Sequence, residues 1–179
     1  TLTFDNDGLI QFQVDAESGL TNEFNEDIET AINNTGSLSS GKVFVAVDAL
    51  NDVYASAVNH EGLLTATHVD INASGNVVLR TGSGNDRSGF NVAETISIKG
   101  AGVDVDRLVT DEGDNSSINL ESSSGDLVLN SLIANSVSVK AEGAISQLSS
   151  AGVRAENASF ESQQNISLTN VRSVSGSLE

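Results

Sequence analysis

At 179 residues, 38% hydrophobic and with a mean hydropathy of −0.08, the chain is long and apolar enough to bury a core, which excludes a disordered tail. Its 25 carboxylates outnumber 8 basic residues for a formal charge of −17, and the bases stand singly along the chain, which argues against nucleic acid and against insertion into or docking on an anionic membrane. Cysteine, methionine, proline and tryptophan are absent and aromatics make up 4%, so thiol and disulfide chemistry are excluded and the core must be built from many small aliphatics.

No apolar run approaches the roughly 20 residues of a membrane span, and Thr1 follows neither an initiator methionine nor a signal-like segment, so the chain reads as an excised fragment. Gly8-Leu9-Ile10-Gln11-Phe12-Gln13-Val14 alternates as a strand. Phe24, Ile28 and Ile32 then fall at helical spacing before Asn33-Asn34-Thr35-Gly36, which predicts a short helical excursion near residues 22–33. Gly41-Lys42-Val43-Phe44-Val45-Ala46-Val47 resumes the strand pattern. Residues 57–66 lead into the first clear copy of a repeat, with His60 expected in a turn and His68 expected as an exposed strand residue.

That repeat is a pair of alternating segments split by a small polar turn. Its copies are Val69-Asp70-Ile71 with Val77 and Leu79; Ile96-Ser97-Ile98 with Val103 and Val105; Ile118-Asn119-Leu120 with Leu127 and Leu129; Val137-Ser138-Val139 with Ile145; and Ala158-Ser159-Phe160 with Ile166 and Leu168. The first anchors lie 27, 22, 19 and 21 residues apart, a mean of about 22. Period-2 alternation describes strands with one face in a core and one in water, and a period of this length holds two strands with room for a third. Gly75, Gly102, Gly125 and Gly143 recur in the turn, where the corner needs either a left-handed backbone or space that a side chain would fill. The copies match in internal layout and no hairpin spacing with Asn-Gly or Asp-Gly turns dominates, which argues against an antiparallel sandwich. The fold expected is all-β, a right-handed parallel β-helix of about eight coils of about 22 residues each. One domain spans residues 1–179, less regular over 1–68 and regular over 69–179.

Gly8-Leu9-Ile10, Ile32-Asn33-Asn34-Thr35-Gly36-Ser37-Leu38, Gly41-Lys42-Val43-Phe44-Val45, Ala57-Val58-Asn59-His60-Glu61-Gly62-Leu63-Leu64-Thr65-Ala66 and Gly75-Asn76-Val77-Val78-Leu79 follow one another in order. This series resembles the filamentous haemagglutinin family of two-partner secretion exoproteins, well over residues 1–80 and through the generic repeat thereafter. The resemblance implies a right-handed β-helix, a secreted or cell-surface adhesin of a Gram-negative bacterium, and export through an outer-membrane β-barrel transporter. The Asn-Pro-Asn motifs of that family's secretion domain are absent, which would put this fragment downstream of them.

The same residues show no catalytic constellation in sequence. The two histidines stand apart from any nucleophile pattern, and Gly-x-Ser-x-Gly, Gly-x-Gly-x-x-Gly and phosphate-loop motifs are all absent. One acidic stretch stands out, Asp104-Val105-Asp106-Arg107 followed by Asp111-Glu112-Gly113-Asp114, which could fold over one strand face to hold Ca²⁺ but lacks the order of an EF-hand loop. The reading favours a splayed, metal-free loop. Gly82-Ser83-Gly84-Asn85-Asp86 resembles a single calcium-binding nonapeptide without a neighbour to stack on, and Thr65-Ala66-Thr67 is a lone Thr-x-Thr. Five Asn-x-Ser/Thr sequons start at Asn33, Asn72, Asn115, Asn157 and Asn165, a number that the abundance of Asn and Ser explains. No catalytic, cofactor or metal residue is assigned. The expectation is a non-enzymatic segment of a large adhesin that meets a surface glycan or protein receptor. The alternatives are a polysaccharide-active β-helix enzyme and the shaft of a contact-dependent toxin delivery protein.

Overall fold

A computed structural model describes residues 2–4, 9–16, 30–36, 38–49, 56–62, 64–80, 90–110, 115–148 and 152–173. Among them the structure is all-β, with eighteen strands and no helix. The strands are β1 (Leu2–Phe4), β2 (Leu9–Ala16), β3 (Thr30–Asn34), β4 (Leu38–Ser39), β5 (Lys42–Ala49), β6 (Ser56–His60), β7 (Leu64–Ala73), β8 (Val77–Leu79) and β9 (Phe90–Gly100). The remainder are β10 (Val103–Thr110), β11 (Ser117–Ser122), β12 (Leu127–Ile133), β13 (Ser136–Ala141), β14 (Ile145–Gln147), β15 (Val153–Ala155), β16 (Asn157–Ser162), β17 (Ile166–Ser167) and β18 (Val171–Ser173).

Among the described residues all pairings but one are parallel, and they sort into three ladders that the chain visits in turn, an arrangement consistent with a β-solenoid. The first ladder aligns Ile10, Val43, Val69, Ile96, Ile118, Val137 and Ala158. The second aligns Ile32, Val58, Val77, Val103, Leu127, Ile145 and Ile166. The third runs from Leu38 to Leu64, through β9 to Leu108, and on to Leu132, Val153 and Val171. The residues that the sequence aligns as copies are thus hydrogen-bonded neighbours in the first two ladders. The third ladder fills the room left in the period. It is hard to see in sequence because in β7, β9, β10 and β12 one uninterrupted strand serves two ladders around a bend, so no turn residues announce it. Each ladder shows seven levels among the described residues, against the eight expected. The shortfall comes from the early part of the chain, where Ile10 and Val43 are partners across 33 residues.

Inward side chains from all three ladders merge into one core in which Ile96, Leu108, Ile118, Leu127, Leu129, Leu132 and Ile145 have no exposed surface. Burial of each such side chain stabilises the fold by roughly 1.5–3 kcal/mol, so the many small aliphatics do together what a few aromatics do elsewhere.

One expectation is corrected. The helical excursion fails over residues 30–33, which lie in β3 with Ile32 paired to Val58; residues 22–29 lie outside the described residues. Hydrogen bonding to β6 overrides the local helical spacing, as tertiary pairing commonly does. Of the two reasons offered for the recurring glycines the structure favours space, since none lies in the left-handed region and the tightest corner is at Gly143. A Cβ at Gly143 would lie 2.5 Å from the carbonyl oxygen of Gly125 on the preceding level, because backbones stack at the corner.

β1 pairs antiparallel with β2 and covers one edge of the stack. At the other end β16, β17 and β18 carry the last described level, where Ile166 is 45% exposed.

Candidate functional site

Alternation that buries Val69, Ile71, Ile96, Ile98, Ile118, Leu120, Val137 and Val139 turns their intervening neighbours to the outside of the first ladder. Register then lines those neighbours up in rows across the strands. One row is Phe44, Asp70, Ser97, Asn119, Ser138 and Ser159; the next is Ala46, Asn72, Lys99, Glu121, Lys140 and Glu161. Between the rows lies a shallow groove of about 330 Å³ lined by Asp70, Asn72, Ser97, Lys99, Asn119, Glu121, Ser138 and Lys140.

Charges along the second row neutralise one another level by level. Lys99 Nζ lies 2.9 Å from Glu121 and Lys140 Nζ 3.5 Å from Glu161. On the flank of the same face His68 Nε2 lies 3.0 Å from Glu94 and Nδ1 lies 2.8 Å from Thr95 Oγ1, which places His68 on the outside of its strand, half-exposed. Partly exposed pairs like these contribute about 0–1 kcal/mol each, so they set the character of the face more than the stability of the fold.

His60 departs from expectation. It ends β6 and is 4% exposed, pointing inward beside Phe12, Ile32, Leu38 and Leu64 around a cavity of about 20 Å³. Asn34, its ladder partner, donates from Nδ2 to His60 Nδ1 at 2.8 Å, which leaves the ring hydrogen of the neutral imidazole on Nε2. Burial pushes the imidazole below its ordinary value of 6.5, against a backbone hydrogen bond with Gly62 that raises it.

The acidic stretch is divided. Asp104 stands outward between Val78 and Val128 in the second ladder and pairs with Arg80, while Asp106, at the bend of β10, accepts a hydrogen bond of 2.6 Å from Asn130 Nδ2. Arg107 begins the third-ladder half of β10, opposite Ser131. Asp111, Glu112, Gly113 and Asp114 lie outside the described residues, as does the stretch from Gly82 to Asp86. Among the described residues no three carboxylates or histidines gather as metal ligands. Thr65 is exposed, Ala66 buried and Thr67 half-buried at the bend of β7, so the Thr-x-Thr is not an outward pair. All five sequon asparagines are exposed.

Sequence reasoning did not find the groove, although its signal was present. The outward positions of the aligned copies, Asp70, Ser97, Asn119 and Ser138, are polar at every level, and reading them as a row instead of as solvated strand faces would have drawn the face. No family model, curated protein or solved structure matches the chain.

Proposed function

We propose that this chain is a non-enzymatic segment of a large secreted bacterial surface adhesin, in which stacked coils make a stiff rod and outward rows supply contacts. In this reading the coils wind right-handedly with about 22 residues each, the whole chain is one domain, and the parent protein leaves the cell through an outer-membrane β-barrel transporter to meet a glycan or protein receptor. The observation that supports it is the continuity of three parallel ladders through every described level, because a stack in which each level contacts only its neighbours extends in one direction and is a natural spacer. The outward charge pairs hold their partners across levels and leave the face polar, as suits a surface that works in water.

Attachment is the test. Beads coated with the chain should bind bacterial or host cell surfaces above an albumin control, and beads that bind no better than albumin would remove the adhesive role. Incubation with pectate, alginate and chondroitin should release no unsaturated or reducing ends; turnover lost on replacing Asp104, Asp106 or Arg107 would establish a polysaccharide-active enzyme instead.

A further inference from the structure

We infer that the groove on the outer face of the first ladder, together with Phe44 at one end, is a binding site for an extended neutral glycan laid along the stack. This rests on the adhesive reading and names its ligand class.

Direction follows from register. The groove spans four levels of the ladder, and at about 4.8 Å per level it runs about 14 Å along the stack, while its two rows stand about 7 Å apart. A long narrow trough suits a chain molecule lying across the strands. Its lining alternates Ser97, Asn119 and Ser138, and hydroxyl and amide groups both donate and accept, as sugar hydroxyls require of a partner. One level beyond Asp70 in the same row stands Phe44, partly exposed between the buried Val43 and Val45. An aromatic side chain on the outside of a polar face offers an apolar plate on which the C–H face of a pyranose ring can rest, beside groups that bind its hydroxyls.

Charge selects neutral over ionic glycans. Lys99 and Lys140 are each held by a glutamate of the next level, and among the described residues Asp70 is the charge of the trough outside an ion pair. An anionic polymer meets that carboxylate and a molecule of charge −17, and a cationic one is drawn to the entire surface without preferring this face. Among the described residues the outer rows of the other ladders are less evenly polar. The second interrupts its polar row with Val78 and Val128, and the third carries Val109 and Ile133 before Arg154 and Arg172.

The test titrates the full chain with maltohexaose, cellohexaose and chitohexaose, and with a heparin oligosaccharide of equal length, while amide shifts are followed by NMR. At least one neutral hexasaccharide should move the amides of Phe44, Ser97, Asn119 and Ser138, and Phe44→Ala and Ser138→Trp should each weaken it about tenfold or more. Circular dichroism and melting of both variants should match the wild type, so that lost binding is not lost folding. Silence of all three neutral sugars, shifts on this face with heparin instead, or undiminished binding by both variants would overturn the site. Beads carrying the same variants separate this inference from the adhesive reading: cell attachment retained by variants that bind no sugar overturns the groove as the adhesive contact, whereas absent attachment with sugar binding intact leaves the site and removes the adhesin.

Discussion

His60 and Leu79 occupy the same inward position on successive levels of the second ladder, one polar and one apolar, and the difference is tolerated because Asn34 one level earlier supplies a hydrogen bond. That partner lies 26 residues away in the chain, so the local pattern Asn59-His60-Glu61-Gly62 shows only polar residues and reads as a turn. The consequence is a pH dependence. Since folding lowers the pKa of His60, the unfolded chain binds the proton first. The stability of the neutral ring is therefore complete above 6.5 and is lost as pH falls from there through the lower folded value. Wild-type melting should drop between about pH 7.5 and about pH 5, and His60→Leu, which imitates the next level, should drop less. Parallel pH profiles for the two proteins would contradict this, because they would mean that folding leaves the proton affinity of His60 unchanged.

At the scale of elements, the strands of the first two ladders were legible because each alternates aliphatic and polar residues and ends in a small turn. Val69, Ile96, Ile118, Val137 and Ala158 could be aligned by eye and prove to be ladder partners. The third ladder was not legible, since Leu108-Val109-Thr110 runs on from the second-ladder half of β10 without a turn and Val153-Arg154-Ala155 offers a single large aliphatic. The same physics sets the cost of change. Leu120, 1% exposed in the first ladder, becomes an unpaired buried charge in Leu120→Asp, and urea unfolding should show a loss of about 3–5 kcal/mol. Ser138→Ala, on the outer face of the next level, should stay within about 0.5 kcal/mol. Gly143→Ala pushes a methyl group against the Gly125 carbonyl and should cost about 1–3 kcal/mol; a neutral result would mean that the corner has room to spare.

At the scale of the whole molecule, length is made by stacking. Parallel ladders in a common register place equivalent outward residues about 4.8 Å apart per level, and with contacts confined to neighbouring levels the chain has no need of large aromatics at its centre. Absence of native cysteine lets pairs of introduced cysteines carry spin labels without background. Pulsed electron paramagnetic resonance between a label at Ser159 and one at Asp70, Phe44 or Gln11 measures the stack directly, because these residues share one outward row at four, five and six levels of separation. Stacked coils predict distances that lengthen by a constant step, about 19, 24 and 29 Å between backbones. Distances that fail to rise with level, as strands folded back on one another in an antiparallel sandwich would give, would contradict the rod.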